Sequence, residues 1–563
     1  MPIYGLGFIG REYRHLKRYR QIAMVLFKYG LGDLVDTIGL RRRLGLGRLA
    51  EAAGKEAPPR LTRWERLRMA LEELGPSFVK LGQIASTRPD MLPHDLCLEL
   101  EKLQDTVKPF GIEQVRQVIQ KELGKPIEDA FREFQDTPIA SASMAQVHRA
   151  VLHSGEIVAV KIQRPGIETT IKVDLEIMLD LAKLAERHLR DIEAINPVGV
   201  VEEFSKSIHK ELDFSIEAGH IERFGRNFAG DPTIHVPKVY RELSTSKVLT
   251  MEFIDGIKVS ELEILREKGY DLALIADRGA DLLLKQIFEH GFFHADPHPG
   301  NILILPDHII CFLDYGMMGN IAHRFREPLD NLVVGIVRRD SKRITKALLG
   351  LSLNGAPLSS EIIESDIADF VEQHFYRPLK EINMGELIKQ LIQLLTKHRL
   401  KITPDFYLLT KALATVESNG AKLSPDFDMI SHTEPFVRKI LARQINPVRI
   451  MKNFYQAGLD SSELIRSLPG DVKEILSIFK RGRTHIEFEH KGLEPMLERH
   501  ERISNRIVFG MVLSALIIGS SLIVLSDVPP KWNGVPVIGI GGFVAAAIMG
   551  FGLLISIIRH GKM

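Results

Sequence analysis

Apolar positions along this chain recur in three patterns, and each predicts a different kind of element. The first pattern is helical. Ile22, Val25, Leu26 and Tyr29 fall at i, i+3, i+4 and i+7, one face of a helix, among the basic residues Arg11, Arg14, Lys17, Arg18, Arg20, Lys28 and Arg41-Arg42-Arg43. A basic amphipathic helix suits an anionic membrane surface, and it suits equally well packing on the protein body with its cationic face in water. Glu51–Pro59 reads as a linker. Trp64, Leu67, Leu71 and Leu74 then resume the helical spacing, Gly75-Pro76 interrupts it, and Ser77–Gln83 restarts it with Lys80 and Gln83 three apart on one face. The same spacing predicts helices over Leu100–Leu123, 167–195, Glu203–His220 and Leu272–His290. From Arg324 to about residue 500 it predicts further helices, broken at Asn354-Gly355, Thr403-Pro404, Ser424-Pro425 and Pro469-Gly470.

The second pattern is strand-like. Ala140–Val151, a turn at Ser154-Gly155 and Ile157–Lys161 read as strand, tight turn, strand; Val236–Tyr240, Lys247–Phe253 and Ile309–Leu313 read as further strands. The third pattern has no period at all. Ile507–Leu525 and Val535–Ile558 carry no charge, and each reaches the roughly 20 residues that a membrane span needs, although buried helices of a soluble core are the alternative. Arg499, Arg502 and Arg506 precede the first run, and Arg559 and Lys562 follow the second, so the positive-inside rule puts both ends in the cytoplasm. Gly542, Ala546 and Gly550 recur every four residues, a small-residue face suited to close helix packing.

Composition narrows the classes. With 563 residues, 45% hydrophobic and 26% charged, the chain can bury a large core and holds more than one folding unit. Lys+Arg 74 against Asp+Glu 72 leaves a net charge of +2, which makes no case for a nucleic-acid partner. Cys97 and Cys311 stand in no metal-ligand spacing and read as buried thiols of a reducing compartment. Met1–Gly10 is apolar but too short for a secretory signal, and basic residues follow it rather than precede it.

The chemistry concentrates in residues 293–316, FHADPHPGNILILPDHIICFLDYG. His294-Ala295-Asp296, Asn301, an apolar strand and Asp314-Tyr315-Gly316 form the pattern H-x-D-x-x-x-x-N, strand, D-[FY]-G, the catalytic and metal loops of a protein-kinase-like fold. Phosphoryl transfer needs one carboxylate near the attacking oxygen, here Asp296, and hard oxygen ligands for magnesium, here Asn301 and Asp314. Lys161, closing the strand Ile157–Lys161, fits the phosphate-binding lysine. Its carboxylate partner is sought in Glu203–His220, with Glu211, Asp213 and Glu217 as candidates, and the long separation makes 167–195 an inserted helix. Met251–Ile254 takes the hinge position, where Glu252 and Ile254 would offer backbone groups to an adenine. Two departures stand out. The loop before Lys161 has Ala and Ser where glycines are expected, and no Ala-Pro-Glu follows Gly316, only Arg326-Glu327-Pro328, so a platform for an extended peptide is not expected.

Together these residues resemble the UbiB/AarF-type atypical kinases, a family that supports ubiquinone and related isoprenoid-quinone metabolism. The resemblance covers residues 77 to 316 and the terminal hairpin. Lys80-Leu81-Gly82-Gln83 is similar to the family's K-x-G-Q motif, and Ala140, Ser141, Ala142, Ser143, Met144, Ala145, Gln146, Val147 and His148 to its alanine-rich nucleotide loop. Glu211-Leu212-Asp213 is similar to its E-x-D motif, and Glu217 takes the place of the Lys161 partner. The resemblance implies a bilobal α+β kinase-like fold with a helical extension, inserts and a C-terminal transmembrane hairpin. It divides as 1–60 basic segment and linker, 61–130 extension, 131–256 N-lobe, 257–500 C-lobe and 501–563 hairpin. It implies ATP and Mg2+ as ligands, with Lys80 and Gln83 of the K-x-G-Q helix lying over the site and Lys80 contacting Glu211 and Asp213. His298 stands where protein kinases carry a lysine against the transferred phosphate. Implied partners are membrane lipid, quinone precursors, quinone-biosynthesis proteins and a second copy in a homodimer, at the cell inner membrane. A protein kinase, a small-molecule or lipid kinase and a nucleotide-gated scaffold without turnover remain the alternatives.

Overall fold

The structure, a computed structural model, describes residues 6–37, 61–86, 88, 91–103, 108–188, 196–353, 360–375, 384–398, 400–444, 451, 493–526 and 528–560. The Arg41–Arg43 run, the Glu51–Pro59 stretch and the breaks expected at Asn354-Gly355 and Pro469-Gly470 lie outside the described residues. The chain forms two compact units, Met1–Ile450 and Met451–Met563.

In the first unit the alternating segments form the N-lobe sheet. Ala145–Val151 and Ile157–Gln163 pair antiparallel from Ala145↔Gln163 to Val151↔Ile157, and Val248–Glu252 adds to the far side of the second strand. Alternation sorts the side chains. Val158, Val160 and Ile162 are buried against Val115 and Ile119 of the helix Ile112–Leu123, while Ala159 and Lys161 turn to the opposite face. Each such aliphatic burial contributes about 1.5–3 kcal/mol.

Two expected elements differ. The helix expected over Leu100–Leu123 begins only at Ile112, since Pro109 cannot continue a helix and Gly111 forms its N-cap, and Leu100 instead closes a separate helix, His94–Leu100. The strand expected at Val236–Tyr240 is instead Ile234–His235, paired parallel with Ile310 and Cys311 of the other lobe; Pro237 has no N–H to give, and Val239 keeps a lone bridge to Met251.

The C-lobe begins with the helix Leu272–Lys285, which widens into a π turn, Gln286–His290, and stops at Gly291 in the left-handed region with φ 62°. Phe292–His294 pairs with Met318–Asn320, and Ile302–Leu305 with Ile309–Phe312, so that two short ribbons project the loops between them. Behind them lies the largest core: Leu283, Phe293 and Ala295 pack with Leu329, Leu348, Ile367 and Leu395, and with Leu409, Ala412 and Val416 of the helix Pro404–Leu423. The breaks at Thr403-Pro404 and Ser424-Pro425 are its N-cap and C-cap.

The basic N-terminal helix, Leu6–Lys28, buries Ile22, Ala23, Val25 and Phe27 in the helical layer that also holds the helices Arg63–Leu74 and Ile167–His188. Arg18 reaches Asp174 at 2.7 and 3.1 Å and the Leu74 carbonyl at 2.8 Å. Asp174 is buried, so this pair is a structural tie. The apolar stripe of this helix is therefore protein core from Ile22 onward, not a membrane-facing surface.

A second tie responds to pH. His432, on the helix Met429–Gln444, sits between Asp281, 2.9 Å from Nδ1, and Asp277, 3.1 Å from Nε2, one turn apart on the helix Leu272–Lys285. The hydrogen bond to Asp281 and the charges of both aspartates raise the imidazole pKa against the effect of partial burial. A raised folded pKa gives stabilisation that is complete below the unfolded value, about 6.5, and is lost as pH rises through the folded value. Both aspartates are half exposed, which holds the effect to about 0.5 kcal/mol. Urea unfolding at pH 6 and at pH 8.5 should show this loss in the wild type and not in His432→Gln. Equal slopes in both would remove His432 from the pH dependence.

In the second unit, Leu493–Leu525 and Val537–His560 are the two helices. Their apolar windows, Ile507–Leu525 and Val537–Leu554, have mean hydropathies of 2.5 and 2.2 and expose most of their apolar side chains. The second begins at Val537 rather than Val535 because Val535–Pro536 pairs with Lys531–Trp532 in a small ribbon. The small-residue face lies between the helices: a Cβ on Gly542 would sit 2.0 Å from Ser520 Oγ, one on Gly550 would meet Leu513, and Ala546 is buried.

Candidate active site

Lys161 is the centre of the first half of the site. In the sheet it stands opposite Val147, so their side chains share a face. Its Nζ donates to Glu217 Oε1 and Oε2 at 2.9 and 2.8 Å. The segment expected as one helix is two. Pro197–Glu211 ends at Leu212, and Asp213 caps Phe214–Asn227 by accepting from Ser215 N at 2.9 Å and Ser215 Oγ at 2.6 Å. Gln163 holds the break by donating to the Leu212 carbonyl at 2.7 Å. This kink lets Glu211 and Glu217 both face the cleft although no single helix face could carry them.

The second half comes from the two ribbons. Leu313 N donates to the Asn301 carbonyl at 2.9 Å, which sets Asn301 beside the point where Asp314 leaves the strand. Asp314 Oδ1 accepts from Gly316 N at 2.9 Å and lies 3.8 Å from Lys161 Nζ. The Lys161 ammonium holds the Asp314 carboxyl well below the usual carboxylate range, helped by the Gly316 amide and the Lys80 charge. Burial disfavours the charge on Lys161, but Asp314 and Glu217 outweigh it and keep the ammonium ionised. Burial, with the neighbouring Asp314 adding to it, raises the Glu217 carboxyl. Two carboxylates thus face one ammonium, and the Asp314 carboxylate with the Asn301 amide, unbonded among the described residues, offers hard oxygens of the kind that a divalent cation such as Mg2+ takes.

His294 joins the halves of the catalytic segment. Its Nε2 donates to the Asp314 carbonyl at 2.5 Å, and its Nδ1 accepts from Asp296 N at 3.3 Å. Those partners require the neutral Nε2–H tautomer, and burial lowers the imidazole pKa in agreement. Gln286 accepts from His294 N at 2.8 Å and fixes its backbone. One ring therefore sets the spacing of the base loop and the metal loop.

The K-x-G-Q residues part company. On the helix Pro76–Ser86, Lys80 Nζ reaches Glu211 Oε1 at 2.5 Å and is close enough to lower the Asp314 carboxyl. Gln83 instead donates to the Leu103 carbonyl at 3.1 Å, and Asp213 serves as the helix cap already described. Gly82 explains itself sterically: an added Cβ would stand 2.2 Å from Leu103 Cδ1. Gly82→Val should cost about 1–3 kcal/mol by overpacking, seen in chemical denaturation together with faster proteolysis of the 76–103 segment. An unchanged midpoint would show that Leu103 yields freely.

The alanine-rich loop corrects three expected nucleotide contacts. Gln146 and His148 point away from Lys161: Gln146 bonds Phe110 N and O at 3.0 and 3.3 Å, and His148 bonds Gln146 at 2.8 Å and the Gln135 carbonyl at 2.8 Å. The alternation that aims Lys161 and Val147 into the cleft must aim these two out of it, and Ser141, opposite Gln146, goes with them. Ala140, opposite Val147, and Ala145 share the cleft face. At the tip Ala142 N is taken by the Ala145 carbonyl at 2.8 Å, Ser143 is buried with its hydroxyl unpaired, and Met144 is packed into the helical layer, in the same apolar cluster as Phe78. At the hinge the Glu252 carboxylate turns to His235, 3.1 Å away, and its N–H to the Lys238 carbonyl, whereas Ile254 N–H is bonded to no described residue.

Sequence reasoning passed over the helix Pro404–Leu423. Lys411 Nζ lies 3.4 Å from Asp296 Oδ1, Asn419 donates to the Pro297 carbonyl at 3.1 Å, and Asp405 accepts from Asn320 N at 3.1 Å. Lys411 and Asn419 are eight apart, hence on one stripe of the helix, and polar positions recurring so within an otherwise core-facing helix were the available signal.

Residues 102–348 match the ABC1 atypical kinase-like domain, 367–428 the UbiB helical domain and 491–559 the ABC1/UbiB kinase-like C-terminal domain. The chain is 35% identical to a "Probable protein kinase UbiB" of Marinobacter nauticus, over 90% of this chain and 94% of that protein. It is 37% identical to one of Pseudomonas aeruginosa, over 78% and 84%. An "Uncharacterized protein in hydrogenase 1 5'region" of Clostridium pasteurianum is 33% identical over 97% and 99%. Among solved structures, the Rv3197–erythromycin complex from Mycobacterium tuberculosis is 23% identical, covers 70% of this chain and 97% of that chain, and has a TM-score of 0.46. By its motifs, its kinase-like architecture and these relatives, the chain belongs to the UbiB/AarF (ABC1) family of atypical kinase-like proteins.

Proposed function

We propose that this protein binds ATP with magnesium and hydrolyses it, or passes on its terminal phosphoryl group, as a membrane-anchored component of ubiquinone (isoprenoid-quinone) biosynthesis. The observation that carries the reading is the cluster of Lys161, Glu217 and Asp314 within 4 Å contacts, joined through His294 to Asp296. Lys161, positioned by Glu217, binds the α- and β-phosphates, and Ile254 N–H offers the hinge bond to the base. Asn301 and Asp314 would hold Mg2+, which when bound offsets phosphate charge. In hydrolysis, water oxygen bonds to the terminal phosphorus as the bond to the bridging oxygen breaks. The electron pair leaves with ADP, and Asp296 takes the water proton.

A peptide substrate fits poorly, because Asp405 and Asn419 bring the helix Pro404–Leu423 onto the segments that follow the metal loop and Asp296. Water or a small acceptor suits the remaining space better. The two apolar helices and their basic flanks support anchoring in the cell inner membrane with both ends cytoplasmic, and the naming of the relatives as UbiB supports quinone precursors and quinone-biosynthesis proteins as partners.

The test is nucleotide turnover by the full-length protein, with and without anionic membranes and a phenolic precursor mimic, beside quinone content in a strain lacking its own homologue. Magnesium-dependent ADP release and restored quinone, both lost in Asp296→Asn, are expected. Restored quinone with an inactive Asp296→Asn chain would favour the nucleotide-gated scaffold, and absence of nucleotide binding would overturn the reading.

A further inference from the structure

The catalytic loop has no cation of its own beside Asp296. His298 is spent within the loop: its Nδ1 accepts from Gly300 N at 3.1 Å and caps the turn Pro299–Asn301, a bond only an unprotonated nitrogen can accept. The cation at Asp296 comes from elsewhere in the chain. Lys411 Nζ stands 3.4 Å from Asp296 Oδ1, with both side chains about one-third exposed toward solvent. Its position is firmly built. The opposite face of its helix, through Phe406, Leu409, Ala412 and Val416, is packed against Phe293 and Ala295, the residues on either side of His294. Two turns further, Asn419 ties the same stripe to the carbonyl of Pro297.

We infer that Lys411 is the phosphate-facing cation of the catalytic loop, supplied by the helix Pro404–Leu423 in place of the cation that His298 cannot provide. The inference rests on the ATP reading above and assigns the contact that the terminal phosphoryl group makes. While the bond from phosphorus to the bridging oxygen breaks and the water oxygen bonds to phosphorus, negative charge is carried by the three outer oxygens of the transferring group. An ammonium held beside Asp296 is adjacent to that position, and lysine serves there as a compact point charge. A neutral imidazole would not replace it. The same ammonium also keeps Asp296 from being the one uncompensated charge of the loop before nucleotide enters.

This is tested with full-length protein, Lys411→Met, Lys411→Arg and the double variant Lys411→Met/His298→Lys, by calorimetric titration with a non-hydrolysable ATP analogue and with ADP in magnesium, and by turnover. Lys411→Met should weaken the triphosphate about tenfold, leave ADP affinity unchanged and lower kcat about 10²-fold, the scale for removing one charge-stabilising group. Lys411→Arg should keep the triphosphate preference, and the lysine restored to the loop at position 298 should recover part of both losses. A merely structural lysine would weaken both nucleotides alike and would not be rescued from position 298; either result overturns the inference. If Lys411→Met melts early, Lys411→Gln, a polar side chain without the charge, beside Lys411→Arg, which keeps it, still decides it. Wild-type protein that binds neither nucleotide overturns the functional reading itself, whereas wild-type binding with an unchanged triphosphate-to-diphosphate ratio in Lys411→Met overturns Lys411 alone.

Discussion

Asp314→Asn should abolish magnesium-dependent nucleotide binding while leaving the fold intact. The amide keeps the shape of the side chain and an oxygen that can still accept from Gly316 N, now at 2.9 Å. What it removes is charge. Lys161 would be left with Glu217 as its one ion-pair partner among the described residues, and the hard oxygen set with Asn301 would lose its anionic member. Affinity for ATP in magnesium should fall about 10²-fold or more, and affinity in EDTA should change little. Thermal stability should stay near wild type, because relief of the repulsion between Asp314 and Glu217 offsets the lost attraction to Lys161. Titration of both proteins with ATP, with and without magnesium, checks this, and equal affinities in magnesium would take Asp314 out of the metal role.

Lys80→Ala should have the second largest effect, because a short, largely enclosed ion pair closes over the site there. Lys80 is 13% and Glu211 26% exposed, so water replaces the lost partner poorly. Without the lysine, Glu211 faces the Asp314 and Glu217 carboxylates with less counter-charge, and the helix Pro76–Ser86 should loosen from the cleft. Altered nucleotide turnover, unmasked autophosphorylation and faster proteolysis between residues 75 and 93 should follow. Glu211→Gln combined with Lys80→Ala should be non-additive by about 1 kcal/mol, the range for residues sharing one interaction. Asp213→Ala should behave differently. It removes a helix cap worth about 1 kcal/mol and should add to Lys80→Ala without coupling. Strict additivity of Lys80 with Glu211 in both turnover and proteolysis would sink the occlusion.

The parts of this site that could be read from sequence are those whose chemistry and spacing are local. Asp296, Asn301 and Asp314 sit on one short hairpin, and Lys161 ends a strand, so each was legible before any contact was known. What escaped is of two kinds. Gln146 and His148 belong to the recognisable loop, but the pleat sends alternate side chains to opposite faces, and only the register Val147↔Lys161 shows which face is the cleft. Lys411 escaped for the reverse reason: its helix has an ordinary apolar stripe, and its contact with Asp296 is made across the whole catalytic and metal region by tertiary packing. The kink at Leu212–Asp213 lies between these cases. The six-residue offset of Glu211 and Glu217 already excluded one continuous face, and the cap at Asp213 supplies the break that the offset required.

Met144 carries a kinetic consequence. A glycine-rich loop rises and falls over nucleotide at little cost, whereas this loop is nailed at its tip, with Met144 buried in the same apolar cluster as Phe78 of the K-x-G-Q helix. The loop cannot lift without withdrawing that side chain. Entry and escape of a nucleotide on this side would then share one barrier with undocking of the helix, so that residence time, rather than affinity, becomes the quantity through which anything touching the helical layer governs the cleft.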